Sequence, residues 1–407
     1  MPVLRDIGTL VTCAAPGGQG AIHPISDAAL VWEDDLIRWV GPAAELPAEF
    51  ARWESRAAGG ALVIPGLVDC HTHLAFGGWR AEEFEQRILG RSYLEIAAAG
   101  GGIASTVAKT RAATTGELRR RAESHLAAMA ELGVTTVEAK SGYGLSTEHE
   151  LRLLEVYRDL AGGGQRIVPT LLAAHVVPPD YREHREMYLR LVTDEIIPQA
   201  ATRGLARFCD VFVEEKAFSV EEGRRVLKAG LAVGLRPKMH ADQITNTGGA
   251  ELAAEVGAIS ADHLEKVSDE GIRCLRASGT VAVSLPFASL YLNVGPMPAR
   301  RLIEAGVPVA VATDFNPGTA PSYHLPMALT LACTMQRMTP AEALKGATQI
   351  AARAIGLERE VGTLEPGKSA DFAVIDAPSV EQWLYQLRAN ACVRTVARGR
   401  DLWRSEK

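Results

Sequence analysis

The stretch "DCHTHLAFGGWR", Asp69 to Arg80, sets His71 and His73 two positions apart, ahead of a Gly pair and an arginine. On an extended chain, residues i and i+2 share a face about 6.5 Å apart. Two such imidazoles can converge on one ion at about 2.0–2.1 Å each. Taken alone, the pair reads more readily as two hydrogen-bonded core histidines. Its weight comes from residues further along. His175, His240, His263 and Asp314 each close an apolar run, in "LLAAH", "LRPKMH", "AISADH" and "VPVAVATD". A third imidazole and a carboxylate from other strands would complete a nitrogen-and-oxygen set suited to Zn²⁺ or Fe²⁺. A water on such an ion becomes a nucleophile near neutral pH.

These residues can meet only if the strands that end in them are neighbours. Eight candidate strands are legible, over residues 62–73, 134–140, 167–175, 210–215, 235–240, 258–263, 280–287 and 307–314. Helical stretches separate most of them, such as "TEHELRLLEVYRDLAG", where Thr147 and Glu150 fit a capping box. Eight strands alternating with helices predict an α/β chain built as a (β/α)₈ TIM-like barrel, with its chemistry at the C-terminal strand ends. An open, doubly wound sheet is the alternative. Before the barrel, "DAALVWEDDLIRWVGP" is a hairpin signal; after it, "TLEPGKSADFAVID" and "CVRTVARGRDLW" again look like strands. Composition alone thus allows one small β domain made by both ends of the chain. The boundaries expected are 1–60, 61–355 for the barrel, and 356–407.

The bulk numbers exclude several classes. Of 407 residues, 47% are hydrophobic and 23% charged, and the net charge is −6, with no basic stripe to hold a nucleic acid. No window of about 18 apolar residues suggests a membrane span. No secretory signal opens the chain, so a cytoplasmic location is expected. Six scattered cysteines, Cys13, Cys70, Cys209, Cys274, Cys333 and Cys392, form no C-x-x-C pair and read as reduced thiols. Strand alternation should turn Cys70 away from His71. The run "AAAGGGIAST", residues 97–106, lacks the G-K-[ST] of a phosphate loop and reads as a mobile loop over the substrate.

"PGLVDCHTH", a later histidine and an aspartate on the last strand resemble the amidohydrolase superfamily. "FGGWRAEEF", "EAKSGYGLSTEHEL", "LLAAHVVPP", "KMHADQ", "GAISADHLE" and "ATDFNPGTAP" narrow the resemblance to the imidazolonepropionase family, over about residues 60–370. The resemblance implies hydrolysis of 4-imidazolone-5-propanoate, a small molecule, to N-formimino-L-glutamate. It also implies a composite β-sandwich domain from both termini, a homodimer, and one Zn²⁺ or Fe²⁺/Fe³⁺ per subunit. Carried over by position, the metal ligands are His71, His73, His240 and Asp314. Asp314 is the proton acceptor, and His263 orients the water or shuttles its proton. Arg80 holds the propionate, for which a guanidinium is the natural bidentate partner. A plain salt bridge to Glu82 or Glu83 is its ordinary alternative. Tyr143, His175, Gln243, Asn316, Gly318 and Thr319 complete the substrate site, and "NPG" is also a turn signal. Where some relatives carry Glu, this chain has Gln243, which excludes that position as a base. Lys216, in "VEEKAF", matches the place of a carboxylated lysine in two-metal members, but reads here as an exposed lysine beside Glu214 and Glu215. Another cyclic amidase or a deaminase on the same barrel is the alternative function.

Overall fold

The computed structural model describes residues 2–406 apart from 15–16, 92–94 and 97–98. Its strands form two eight-stranded sheets. The first gathers β1 (Pro2–Val11), β2 (Pro24–Glu33), β3 (Leu36–Pro42), β4 (Glu54–Ala57) and β5 (Leu62–Pro65) from the start of the chain. From its end come β14 (Phe372–Ile375), β15 (Cys392–Ala397) and β16 (Arg400–Arg404). The order is β16-β15-β14-β5-β1-β2-β3, with β4 on β1, so strands from the two ends pair directly at β5–β14. Along that order Trp32 of β2 and Phe372 of β14 sit three strand spacings apart, about 14 Å in a flat sheet. Their rings nevertheless meet at 5.1 Å. The sheet therefore curls until its halves face each other across Leu4, Leu30, Val63 and Val396, which gives the sandwich its core.

The second sheet is wholly parallel: β6 (Leu67–Asp69), β7 (Val134–Lys140), β8 (Arg166–Ala174), β9 (Phe208–Val213), β10 (Arg236–Ala241), β11 (Ser260–His263), β12 (Val281–Ser284) and β13 (Val309–Val311), paired in that order. It closes just beyond the named strands. The Asp314 amide donates to the His71 carbonyl at 3.0 Å, and the His73 amide to Phe315 at 2.8 Å. On the other side the Lys140 amide donates to Thr72 at 2.8 Å. The segment carrying both histidines is thus laced between β7 and the chain after β13.

Helices form where the sequence marks them. Thr115–Glu131 starts at Thr114 with a complete capping box to Glu117, and it buries Leu118, Ala122, Leu126 and Met129 at helical spacing. Ser219 and Glu222 open Val220–Ala232 in the same way. Among the described residues, no helix is long and apolar enough to cross a membrane.

Four local expectations need correction. The strand expected over 62–73 divides at Gly66: Leu62–Pro65 belongs to the terminal sheet and Leu67–Asp69 to the barrel. A Cβ at Gly66 would collide with the Thr135 side chain, so the crossover needs glycine there. The strand expected over 280–287 stops at Ser284, because Pro286 opens the helix Pro286–Leu292. The helix Thr147–Leu160 is capped by Ser146, whose Oγ accepts from the His149 amide, and not by Thr147. The run 97–106 is not all loop. Residues 97–98 lie outside the described residues, but Ile103–Ala112 is helical once Gly102 has turned the chain at φ +68°.

Candidate active site

The strand ends bring the expected residues together. His71 and His73 follow β6, His175 follows β8, His240 is the penultimate residue of β10, His263 ends β11, and Asp314 follows β13; all are at least nine-tenths buried. His71, His73 and His240 each offer a ring nitrogen within 4.8 Å of the others, and so do His71, His263 and Asp314 with their own ligand atoms. One Asp314 oxygen lies 3.4 Å from His71 Nε2 and 3.6 Å from His73 Nε2. The site spends backbone strain on this convergence. His263, Leu264 and Asp314 all take left-handed φ values, +81°, +65° and +54°.

The nitrogens are also prepared for an ion. His71 Nδ1 lies 2.6 Å from an Asp262 oxygen and His240 Nδ1 3.1 Å from an Asp210 oxygen. A carboxylate at Nδ1 keeps the proton there and leaves Nε2 with a free lone pair. Both Nε2 atoms are buried and make no hydrogen bond among the described residues. Such orphaned acceptors are costly unless something occupies them. Burial holds His71, His73 and His240 well below the usual histidine range, with Lys140 and the neighbouring imidazoles pushing the same way. Neutral imidazoles are the ligating form. The donor set therefore fits a divalent metal.

Beneath the histidines lies a charged layer that sequence reasoning missed. Lys140 Nζ reaches Asp210 at 2.7 Å, Glu138 at 3.1 Å and Asp262 at 3.3 Å. Lys238 Nζ reaches the other Glu138 oxygen at 3.0 Å. All five side chains are fully buried. Burial opposes the charge on Lys140, but Asp210, Glu138 and Asp262 raise its pKa. Burial alone would raise Asp262, yet Lys140 and Lys238 hold it below its usual value. The signal was present as charge at alternate positions of apolar strands, Glu138 and Lys140 in "VEAK" and Lys238 before His240 in "KMH".

Above the histidines a cavity of about 330 Å³ opens to the strand ends. Arg80, Tyr143, His175, Gln243, Asn316 and Thr319 line it, together with His73, His240, His263 and Asp314. Its apolar wall is Ile103, Phe212, Ile244, Leu292 and Val294. Arg80 is 4% exposed, and its Nε and Nη1 have no hydrogen-bond partner among the described residues. The nearest carboxylate, Glu83, stands 3.8 Å off and already takes the Gly102 amide at 2.8 Å. Of the two acids weighed for Arg80 it is thus Glu83 that pairs with it, in a long ion pair that involves no hydrogen bond to Nε or Nη1 among the described residues. Gly318 does not line the cavity. It lies under Arg80, where any Cβ would strike the guanidinium.

Tyr143 is held by its loop. Glu150 accepts the Gly144 and Leu145 amides at 2.7 and 2.8 Å and the Gly142 amide at 3.1 Å, so this acid clamps a loop instead of capping a helix. His175 stacks on His73 at 5.2 Å and 15°. Its Nδ1 lies 3.0 Å from the Gly142 carbonyl, to which only Nδ1–H can donate, and burial lowers its pKa to about 4. Nε2 of this neutral ring is therefore an acceptor. Asn316 spends its side chain on the turn: Oδ1 accepts from Gly318 and Thr319 at 2.9 and 2.8 Å, and Nδ2 donates to Asp314 O at 2.7 Å. Burial pushes Asp314 up to about 7, opposed by His263 and by Asn316. Burial works against charge on His263, but Glu265, Asp314 and Asp262 raise it.

Two side chains stay away. Lys216 is exposed and lines a surface groove with Glu215 and Glu221, and among the described residues it lies in neither group of candidate metal ligands. Cys70 is fully buried with Val68, Val168 and Phe208 and belongs to neither cluster of candidate ligands among the described residues.

Fold and site together define a hydrolase-type barrel of the amidohydrolase class. The model of the Amidohydrolase family matches residues 214–401. Guanine deaminase of E. coli superposes with a TM-score of 0.75, covering 99% of this chain and 100% of that one at 17% identity. The 5-methylcytosine deaminase from Klebsiella pneumoniae with 5-fluorocytosine gives 0.76, covering 100% and 98% at 18% identity. At such identities the likeness is one of fold. Imidazolonepropionase of Geobacillus kaustophilus (strain HTA426) is 49% identical over 91% of this chain and 88% of its own length. Imidazolonepropionase of Myxococcus xanthus (strain DK1622) is 48% identical with the same coverages. The chain belongs to the imidazolonepropionase family of the amidohydrolase superfamily.

Proposed function

We propose that the chain hydrolyses the cyclic amide C–N bond of 4-imidazolone-5-propanoate, giving N-formimino-L-glutamate in histidine degradation. One observation carries the substrate: a buried guanidinium, two of whose nitrogens make no hydrogen bond among the described residues, shares a small cavity with a cluster of neutral imidazoles. A ring bearing a short carboxylate tail answers both. His71, His73, His240 and Asp314 hold one Zn²⁺ or Fe²⁺/Fe³⁺ per subunit. When bound, the ion supplies Lewis acidity and lowers the pKa of a coordinated water.

The chain's own residues do the rest. Arg80 takes the propionate in a two-point grip. His175 Nε2 accepts a ring N–H, and Tyr143 and Gln243 fix the ring plane. Asp314 takes a proton from the attacking water on a carboxylate oxygen and returns it to the ring nitrogen as the C–N bond breaks. His263, raised toward its charged form by Glu265 and Asp314, donates to the carbonyl oxygen as charge gathers there. Asn316, Gly318 and Thr319 act through the turn that seats Asp314 and Arg80. The same reading divides the chain into a hydrolase barrel from just past Gly66 to 355, and a composite domain from the segment before Gly66 and from 356–407. It places a homodimer in the cytoplasm.

The test is to incubate the protein with the imidazolone, follow its ultraviolet absorbance and identify the product by mass. The expected product is heavier by one water, with no ammonia released. Release of ammonia, or an unchanged substrate, would overturn the assignment.

A further inference from the structure

We infer that Lys140 is a positioning residue for the metal centre: one ammonium ties together the two carboxylates that orient two different ligands. Asp262 sets His71 and Asp210 sets His240, with oxygens 2.6 and 3.1 Å from the respective Nδ1 atoms. These acids come from different strands, β11 and β9, and the ligands from the end of β6 and from β10. Lys140, on β7, reaches across the barrel to both acids, at 2.7 Å from Asp210 and 3.3 Å from Asp262. The Asp262 oxygen facing Lys140 is the same Oδ2 that faces His71. Glu138, two residues earlier, fixes the ammonium at 3.1 Å and is itself fixed by Thr170 at 2.5 Å and Lys238 at 3.0 Å. Three strands of the barrel, β7, β9 and β11, thus converge on one Nζ, and all four side chains are fully buried.

The arrangement has a consequence for ion affinity. Without Lys140, two buried carboxylates would face each other unshielded and turn apart, and each would carry its histidine out of register. Loss of an orienting carboxylate commonly costs about 10–100-fold in metal affinity. Loss of Lys140 should reach that range through both ligands at once. Lys238 provides the control. It carries the same charge in the same layer and acts on Asp262 through space, but it bonds Glu138 and the carbonyls of Cys70 and Ala354 and touches neither Asp210 nor Asp262.

The inference rests on the ligand assignment above, and the experiment separates the two. Zn²⁺ affinity is measured by competition with a chromogenic chelator, and Co²⁺-loaded protein is read by its visible spectrum, for the parent, Lys140→Met and Lys238→Met. The expected result is a 10- to 100-fold loss of Zn²⁺ affinity and a shifted Co²⁺ spectrum for K140M, and a loss under threefold for K238M. A parent that binds neither ion would end the ligand assignment itself. A parent that binds, with K140M within threefold of it or K238M matching K140M, would overturn only the role of Lys140. If K140M does not fold, Asp210→Asn, Asp262→Asn and the pair are compared. Shared dependence on one ammonium predicts a combined loss smaller than the product of the single losses; strictly multiplicative losses would contradict it.

Discussion

Replacing Arg80 by Met separates function from stability at one position. The aliphatic stem survives, and the guanidinium goes. In the free protein that group is 4% exposed, with no hydrogen bond to Nε or Nη1 among the described residues and a long ion pair to Glu83 at 3.8 Å. Burying donors unsatisfied costs about 1–3 kcal/mol, so their removal should leave the melting temperature unchanged or raise it. Turnover should move the other way. A two-point guanidinium–carboxylate contact in so closed a site holds about 3 kcal/mol, which corresponds to a factor of about 150 in kcat/KM. The propionate takes no part in bond breaking, so most of the loss should appear in KM. The assay is steady-state loss of imidazolone absorbance, run beside thermal unfolding, with the unsubstituted 4-imidazolone as a second substrate. Parent and variant should turn over that truncated ring equally well. A kcat/KM within threefold of the parent on the full substrate would refute the assignment of Arg80. A fall of many degrees in Tm would show that the guanidinium serves the fold.

Three further outcomes follow from the same geometry. Gly318→Ala places a Cβ against the Arg80 guanidinium; a displacement of about 1 Å should lower kcat/KM about 100-fold while metal content stays at the parent's level by atomic absorption. Glu150→Gln weakens the clamp on the Gly142, Gly144 and Leu145 amides and should cost about 1–3 kcal/mol in denaturant unfolding, with KM raised through Tyr143. His175 is lowered from 6.5 to about 4, so the unfolded chain binds a proton there before the folded one does. Its contribution is intact above about pH 6.5 and is lost as the pH falls toward 4. From pH 7 to pH 5 the parent should therefore lose about 2 kcal/mol more than His175→Gln, and equal losses by denaturant titration would contradict the burial argument.

The strand ends were legible because function and burial left the same mark: a polar residue closing an apolar run, as at His175, His240 and His263. The hairpin of β2 and β3 was legible from its acidic turn. Other features depend on contacts far apart in sequence. Gly66 divides one apparent strand because of Thr135, a residue 69 positions on. Glu150 sits where a capping box would put it, yet the loop 142–145 claims it. The buried charge of Lys140 and Lys238 reads as ordinary surface polarity until the barrel closes and turns both inward. Lys216, whose place in the chain matches a ligand of two-metal relatives, was legible as an exposed lysine from its acidic neighbours, and it is exposed.

The central claim is that one metal ion, held by His71, His73, His240 and Asp314, runs the hydrolysis. It is tested most directly by titrating Zn²⁺ or Fe²⁺ into metal-depleted protein while recording both bound ion and imidazolone turnover. The account predicts no turnover at the start, a linear rise, and a break at one equivalent per chain, with neither signal in His240→Ala. Turnover that survives depletion, or a break at two equivalents, would contradict it.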